Sequence, residues 1–132
     1  MYRFGLNLLM VTFLAFAGGC GSKITVDGFV RFEDGTPLTT GTVYFESATT
    51  TSRGQLDTSG RYVLESSGAK DGVPPGNYKV YILGATDSEY GTDGQWTYKP
   101  LIDEKFQSAA TSGLTCDVTK KMPFDITVTP PK

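Results

Sequence analysis

Beyond residue 22 the apolar side chains recur at every second position, and no stretch repeats them at the 3.6-residue spacing of a helix. That period restricts the chain to strands with one face turned inward. Ile24, Val26, Gly28, Val30 and Phe32 share one face, and Thr25, Asp27, Phe29 and Arg31 share the other. Val43 and Phe45 oppose Thr42, Tyr44 and Glu46 in the same manner. Further strands are expected at 54–56, 61–64 and 77–82, with Tyr78, Val80 and Ile82 inward. A final pair is expected at 114–119 and 124–129, joined by a Lys120-Lys121-Met122-Pro123 turn. Asp34-Gly35 and Asp57-Thr58-Ser59-Gly60 carry turn chemistry, and Pro74-Pro75 cannot lie in a central strand because proline donates nothing to a ladder. About seven short strands separated by such turns predict an all-β, antiparallel sandwich. Residues 84–113 break the pattern. They read as a long connection without a strand, carrying Tyr90, Trp96 and Tyr98 among acidic residues, with at most one helical turn at 101–106.

Composition narrows the chemistry. The 132 residues include no histidine, which removes Ser-His-Asp and Cys-His catalysis and His-ligated zinc. A net charge of −2 offers no basic field for nucleic acid to follow. No metal or cofactor is expected, and the chain reads as a non-enzyme.

The first twenty residues stand apart from the fold. Arg3 and the amino terminus make a short positive region, and 4–17 is apolar but shorter than the roughly 20 residues a spanning helix needs. Ala17-Gly18-Gly19-Cys20 follows and resembles a bacterial lipobox, with Ala17 where leucine is more usual. The resemblance implies cleavage between Gly19 and Cys20 and a diacylglycerol on the Cys20 sulfur, in a membrane-anchored lipoprotein. Two or three acyl chains hold firmly where one binds only marginally. An ordinary secretory signal with an incidental Cys20, or an uncleaved anchor, is the competing reading. Cut there, the chain divides into a signal peptide (1–19), a lipidated linker (20–23) and one β-domain (24–132). Loss of Arg3 leaves 11 basic residues of the 12 against 14 acidic ones, a net −3. Gly21 is not the aspartate that commonly retains a lipoprotein in the inner membrane, which favours the outer membrane over the cell membrane, with the domain facing the periplasm or the surface. With Cys20 acylated, Cys116 has no partner and reads as a small buried hydrophobe beside Leu114 and Val118; a Cys20–Cys116 disulfide is the alternative.

The domain carries a second resemblance. Val26-Asp27-Gly28-Phe29-Val30, Asp34-Gly35-Thr36-Pro37-Leu38, the Asp57-to-Tyr62 hairpin and Pro75-Gly76-Asn77-Tyr78-Lys79-Val80 are similar to carboxypeptidase regulatory-like domains of the transthyretin-like (prealbumin-like) type. The resemblance implies a Greek-key sandwich serving as a non-catalytic structural or interaction module of the cell envelope. The hydroxyisourate-hydrolysing branch of that fold uses histidines and a Tyr-Arg-Gly-Ser ending, and this chain has neither.

Remaining candidate residues have plainer readings. Asp57, with Asp34 or Asp71, supplies the oxygens calcium needs but lacks an EF-hand spacing, so a turn-forming role explains it better. Asp103-Glu104 is an adjacent carboxylate pair without the separation glycosidic chemistry requires. Ser112 has no histidine base, and a pairing with Lys105 or Lys120 has nothing to support it. For Tyr90, Trp96 and Tyr98 packing is the plainer reading, with Trp96 and Tyr98 plugging the open end of the sandwich; the alternative is a contact surface for a glycan or an envelope protein. Cells fed labelled palmitate are expected to label this protein, and Cys20→Ser to abolish the label. Intact mass of membrane-extracted protein then shows a mature chain beginning at Cys20; an unlabelled wild type removes the anchor.

Overall fold

The computed structural model describes residues 22–68 and 70–132. The chain is all-β. Its strands are β1 (Val26–Phe32), β2 (Thr42–Glu46), β3 (Thr51–Gln55), β4 (Arg61–Val63), β5 (Gly76–Leu83), β6 (Thr86–Tyr90), β7 (Trp96–Pro100), β8 (Leu114–Val118), β9 (Met122–Pro123) and β10 (Ile126–Val128), with one 3-10 turn at Glu104–Gln107. Two four-stranded sheets face each other. One has the order β10-β1-β4, with β9 also on β1; the other runs β3-β2-β5-β8 and is antiparallel throughout.

The period-two alternation places the inward set as expected. Val26, Val30, Val43, Phe45, Val80 and Ile82 are fully buried. Phe45 lies at the centre, against Tyr62 (centroids 6.4 Å apart), Tyr78 (5.8 Å) and the edge of Phe124 (5.6 Å). It thereby joins the two sheets. Cys116 is buried on the inner face of β8, and burial pushes its thiol up. On the β3 side, Arg53 and Glu65 exchange backbone hydrogen bonds at 2.9 and 3.1 Å and tie the sheets together.

Two expectations are corrected. The last strands do not form a hairpin. β8 pairs with β5 in one sheet, whereas β9 and β10 pair with β1 in the other, and they do so in parallel: Val26 with Met122, Val30 with Ile126 and Phe32 with Val128. The Lys120-Lys121 turn is therefore a crossover between sheets, after which the chain runs in the direction of β1. Alternation shows which face of a strand is inward but not which sheet it joins. The second correction concerns 84–113. It contains a hairpin, β6–β7, with Tyr90 opposite Trp96 and Thr86 opposite Pro100. All ten strand residues are exposed, so no buried face imposes the apolar alternation by which the other strands are recognised.

The parallel joint depends on one close approach. Pro123 has no N–H, and Phe124 leaves the strand between β9 and β10; its N–H still donates to the Asp27 carbonyl at 2.8 Å. The Tyr62 hydroxyl donates to the Phe124 carbonyl. The Asp125 carboxylate accepts from the Phe29 N–H at 2.9 Å. A Cβ on Gly28 would lie 2.0 Å from the Phe124 carbonyl oxygen, so glycine is required there. We expect Gly28→Ala to destabilise the protein by about 3 kcal/mol in urea unfolding, because rigid backbone would have to move. Gly35, at φ +88° with open space around it, should cost only about 1 kcal/mol as alanine. Equal costs would refute the contact as the cause.

Candidate functional site

The sandwich has two poles with different contents. At one, the amino-terminal segment enters: Ile24 and Val73 exchange backbone hydrogen bonds at 2.7 and 2.8 Å. The start of β5 and the end of β8 lie at that pole, with Gly76 opposite Val118. β1 then runs about 23 Å, at roughly 3.3 Å per residue, to the other pole. There the Asp103 N–H meets the Thr129 carbonyl at 2.8 Å and the Leu101 N–H meets Ala85 at 2.9 Å. The β6–β7 hairpin rises from this second pole, rooted by buried Ala85 and Ile102.

Ladder register sorts the hairpin's side chains. Tyr90, Trp96, Ser88 and Tyr98 share one face; Asp87, Glu89, Thr97 and Lys99 share the other. Tyr90 and Trp96 meet edge to face at 5.1 Å. Tyr90 is 60% exposed, Trp96 59% and Tyr98 67%. The plug reading is therefore corrected: the three rings stand off the sandwich and close no opening. Asp93 and Gly94 set the turn. Gly94 takes φ +80°, the Asp93 carboxylate accepts from the Gln95 N–H at 3.1 Å, and the Gly91 N–H donates to the Gln95 carbonyl at 2.8 Å. Thr, Tyr and Trp in the strands, with Asp-Gly between them, were the legible signal. At the root of the hairpin an open groove of about 600 Å3 is lined by Pro100, Ile102, Asp103, Glu104, Pro131 and Lys132.

The other singled-out residues have local work. Asp57 accepts from the Ser59 hydroxyl, the Arg61 N–H and the Ser59 N–H at 2.6–3.0 Å, which hold its carboxyl below the usual range. Asp34 accepts from the Thr36 N–H in the same manner. Asp71 lies at the opposite pole from both. The Lys23 ammonium, then the Ser67 hydroxyl, hold its carboxyl well below the carboxylate range. This tie of the linker to the 66–72 loop is complete above the ordinary value of 3.8 and weakens only as the pH falls below it. Among the described residues no group of three or more His, Cys, Asp or Glu is placed to hold a metal. Asp103 caps the 3-10 turn through the Lys105 N–H. Ser112 is buried and donates to the Val80 carbonyl. Burial drives the Tyr62 phenol far above its ordinary value, with Cys116 and the Asp125 and Asp27 carboxylates adding to it. On the outer face of the second sheet Tyr44 and Tyr81 stack at 5.2 Å, a pair that alternation places outside but does not mark as a contact. Gly19 and Cys20 lie outside the described residues, among which no helix is long and apolar enough to cross a membrane.

No family model matches the chain, and no curated protein matches it significantly. Among solved structures it is similar to a 9R-lipoxygenase from Cyanothece PCC8801, at 16% identity and a TM-score of 0.37, over 80% of this chain and 16% of that one. The chain thus spans about a sixth of that enzyme's length, and a likeness at this level carries no argument about fold or function.

Trp96 is the single tryptophan, so its emission reports the hairpin alone. Native protein is expected to fluoresce near the wavelength of free tryptophan, to be quenched freely by acrylamide, and to shift little on unfolding. Trp96→Ala should change global stability by under about 0.5 kcal/mol. Blue-shifted, protected emission would mean the ring is packed.

Proposed function

We propose that this protein is a non-catalytic lipoprotein of the cell envelope, held in the membrane through acylated Cys20, whose sandwich is a rigid mount for the 86–100 hairpin. The observation that carries this reading is polarity. The linker joins the domain at one pole, and three exposed aromatic rings stand at the other. A lipid on Cys20 leaves three residues before the first backbone bond of the sandwich, so the linker pole lies at the bilayer and the hairpin points away from it. The two-sheet core with a buried aromatic centre supports a transthyretin-like module. Outer-membrane placement rests on Gly21.

The exposure of Tyr90, Trp96 and Tyr98 favours a second, more specific reading, in which the hairpin binds a polysaccharide or an envelope protein. Flat rings stack on the apolar faces of sugar rings, while Ser88 beside them and the Asp93 turn offer hydroxyl and carboxylate partners. The linker-proximal geometry supports a ligand outside the anchoring membrane. Mature protein applied to a glycan array is expected to retain a subset of polysaccharides, with Trp96→Ala at least tenfold weaker, about 1.4 kcal/mol. Absence of binding, or equal binding by the variant, would count against the hairpin as a glycan contact.

A further inference from the structure

The linker pole gathers lysines that are far apart in sequence. Lys23 precedes the Ile24–Val73 bridge, Lys70 lies in the loop that receives it, and Lys120-Lys121 forms the crossover turn between Val118 and Met122. Lys70, Lys120 and Lys121 are exposed. Among the described residues none of the three forms an ion pair, and Lys23 pairs with Asp71. The acidic groups at this pole are Asp71, Glu65, Asp117 and Glu46, the last opposite Lys79 in the ladder, and Asp27 nearby is paired with Arg61. Asp71 is taken up by Lys23 and Ser67, and Glu65 accepts from the Lys70 N–H at 3.0 Å. The far pole is acidic: Glu33, Asp34 and Asp57 in its turns, Asp103 and Glu104 at the 3-10 turn and Asp87, Glu89 and Asp93 on the hairpin outnumber Arg31, Lys99, Lys105 and Lys132.

Resting on the Cys20 anchor proposed above, we infer that this lysine pole is a docking surface for anionic phospholipid headgroups of the membrane that holds the lipid. Charge complementarity favours this occupant, and so does the place where the linker ends. The acyl chains bring the pole to within a few residues of the headgroups, inside or near the roughly 8 Å over which charges act at physiological ionic strength. Lysines at such a surface attract anionic lipid, and the far-pole carboxylates are repelled by it. The two effects turn the sandwich the same way. The anchor sets that the protein stays; the lysines set which end faces down, and so hold the hairpin upright.

The test uses mature, lipid-modified protein in vesicles of phosphatidylcholine alone and of phosphatidylcholine mixed with phosphatidylglycerol, with lysine acetylation rates read by mass spectrometry. On anionic vesicles Lys70, Lys120 and Lys121 are expected to react at least threefold more slowly than on neutral ones, while Lys99, Lys105 and Lys132 keep their rates and high salt removes the difference. The Lys120→Glu/Lys121→Glu variant should lose the protection at Lys70 with Trp96 emission unchanged. Equal rates on both vesicles, or equal protection of all lysines, overturns the inference. Failure to stay on neutral vesicles is a separate result that removes the anchor. The pole is then read by co-sedimentation with anionic vesicles, where each lysine contributes roughly fivefold and binding by the wild type but not the double variant upholds it.

Discussion

The sandwich depends on the meeting of Gly28, Tyr62 and Phe124. The carboxy-terminal segment reaches β1 only because β1 has no side chain where the Phe124 carbonyl arrives, and that carbonyl is then held by a phenol from β4. The ring of the same phenylalanine projects inward against Phe45 of the opposite sheet. One residue thus closes the ladder of one sheet and the core between both. Interiors of this density transmit a displacement rather than absorb it, so disturbing the joint moves β9, β10 and the centre of the core together.

This arrangement explains which parts of the structure were legible in the sequence. Strands with one buried face, such as Tyr78-Lys79-Val80-Tyr81-Ile82, reveal themselves because burial imposes an alternation on side-chain type. Asp57 and Gly60 reveal their turn because few residues satisfy its backbone. Pairing partners are a different matter. Leu114–Val118 and Ile126–Val128 have the same alternation, yet they lie in different sheets, and the direction of the second is set by a crossover whose residues are merely polar. Gly28 could be placed on the inner face, but its reason for being glycine lies almost a hundred positions away.

The two poles are half legible in the sequence for related reasons. The aromatic residues of 90–98 could be picked out by type, but their exposure could not, because a ring that packs and a ring that projects are the same letters. No apolar alternation marks the hairpin beneath them, because Thr86-Asp87-Ser88-Glu89 has no apolar face to display. The lysine pole was harder still. Lys120-Lys121 alone reads as a solvated turn, and only the crossover brings it beside Lys70 and the linker.

The hairpin is held by its own ladder and by two buried residues at its root, and among the described residues both of its long edges are unpaired. An isolated two-stranded ribbon is marginally stable in water. Fraying of its tip therefore leaves the sandwich intact, and a ligand that gripped the rings, as proposed, would also stiffen the ribbon beneath them. By the same separation, residues between Ala85 and Leu101 can be lengthened, shortened or rewritten without disturbing the main ladders. The scaffold can thus carry a different projecting ribbon while its architecture stays unchanged.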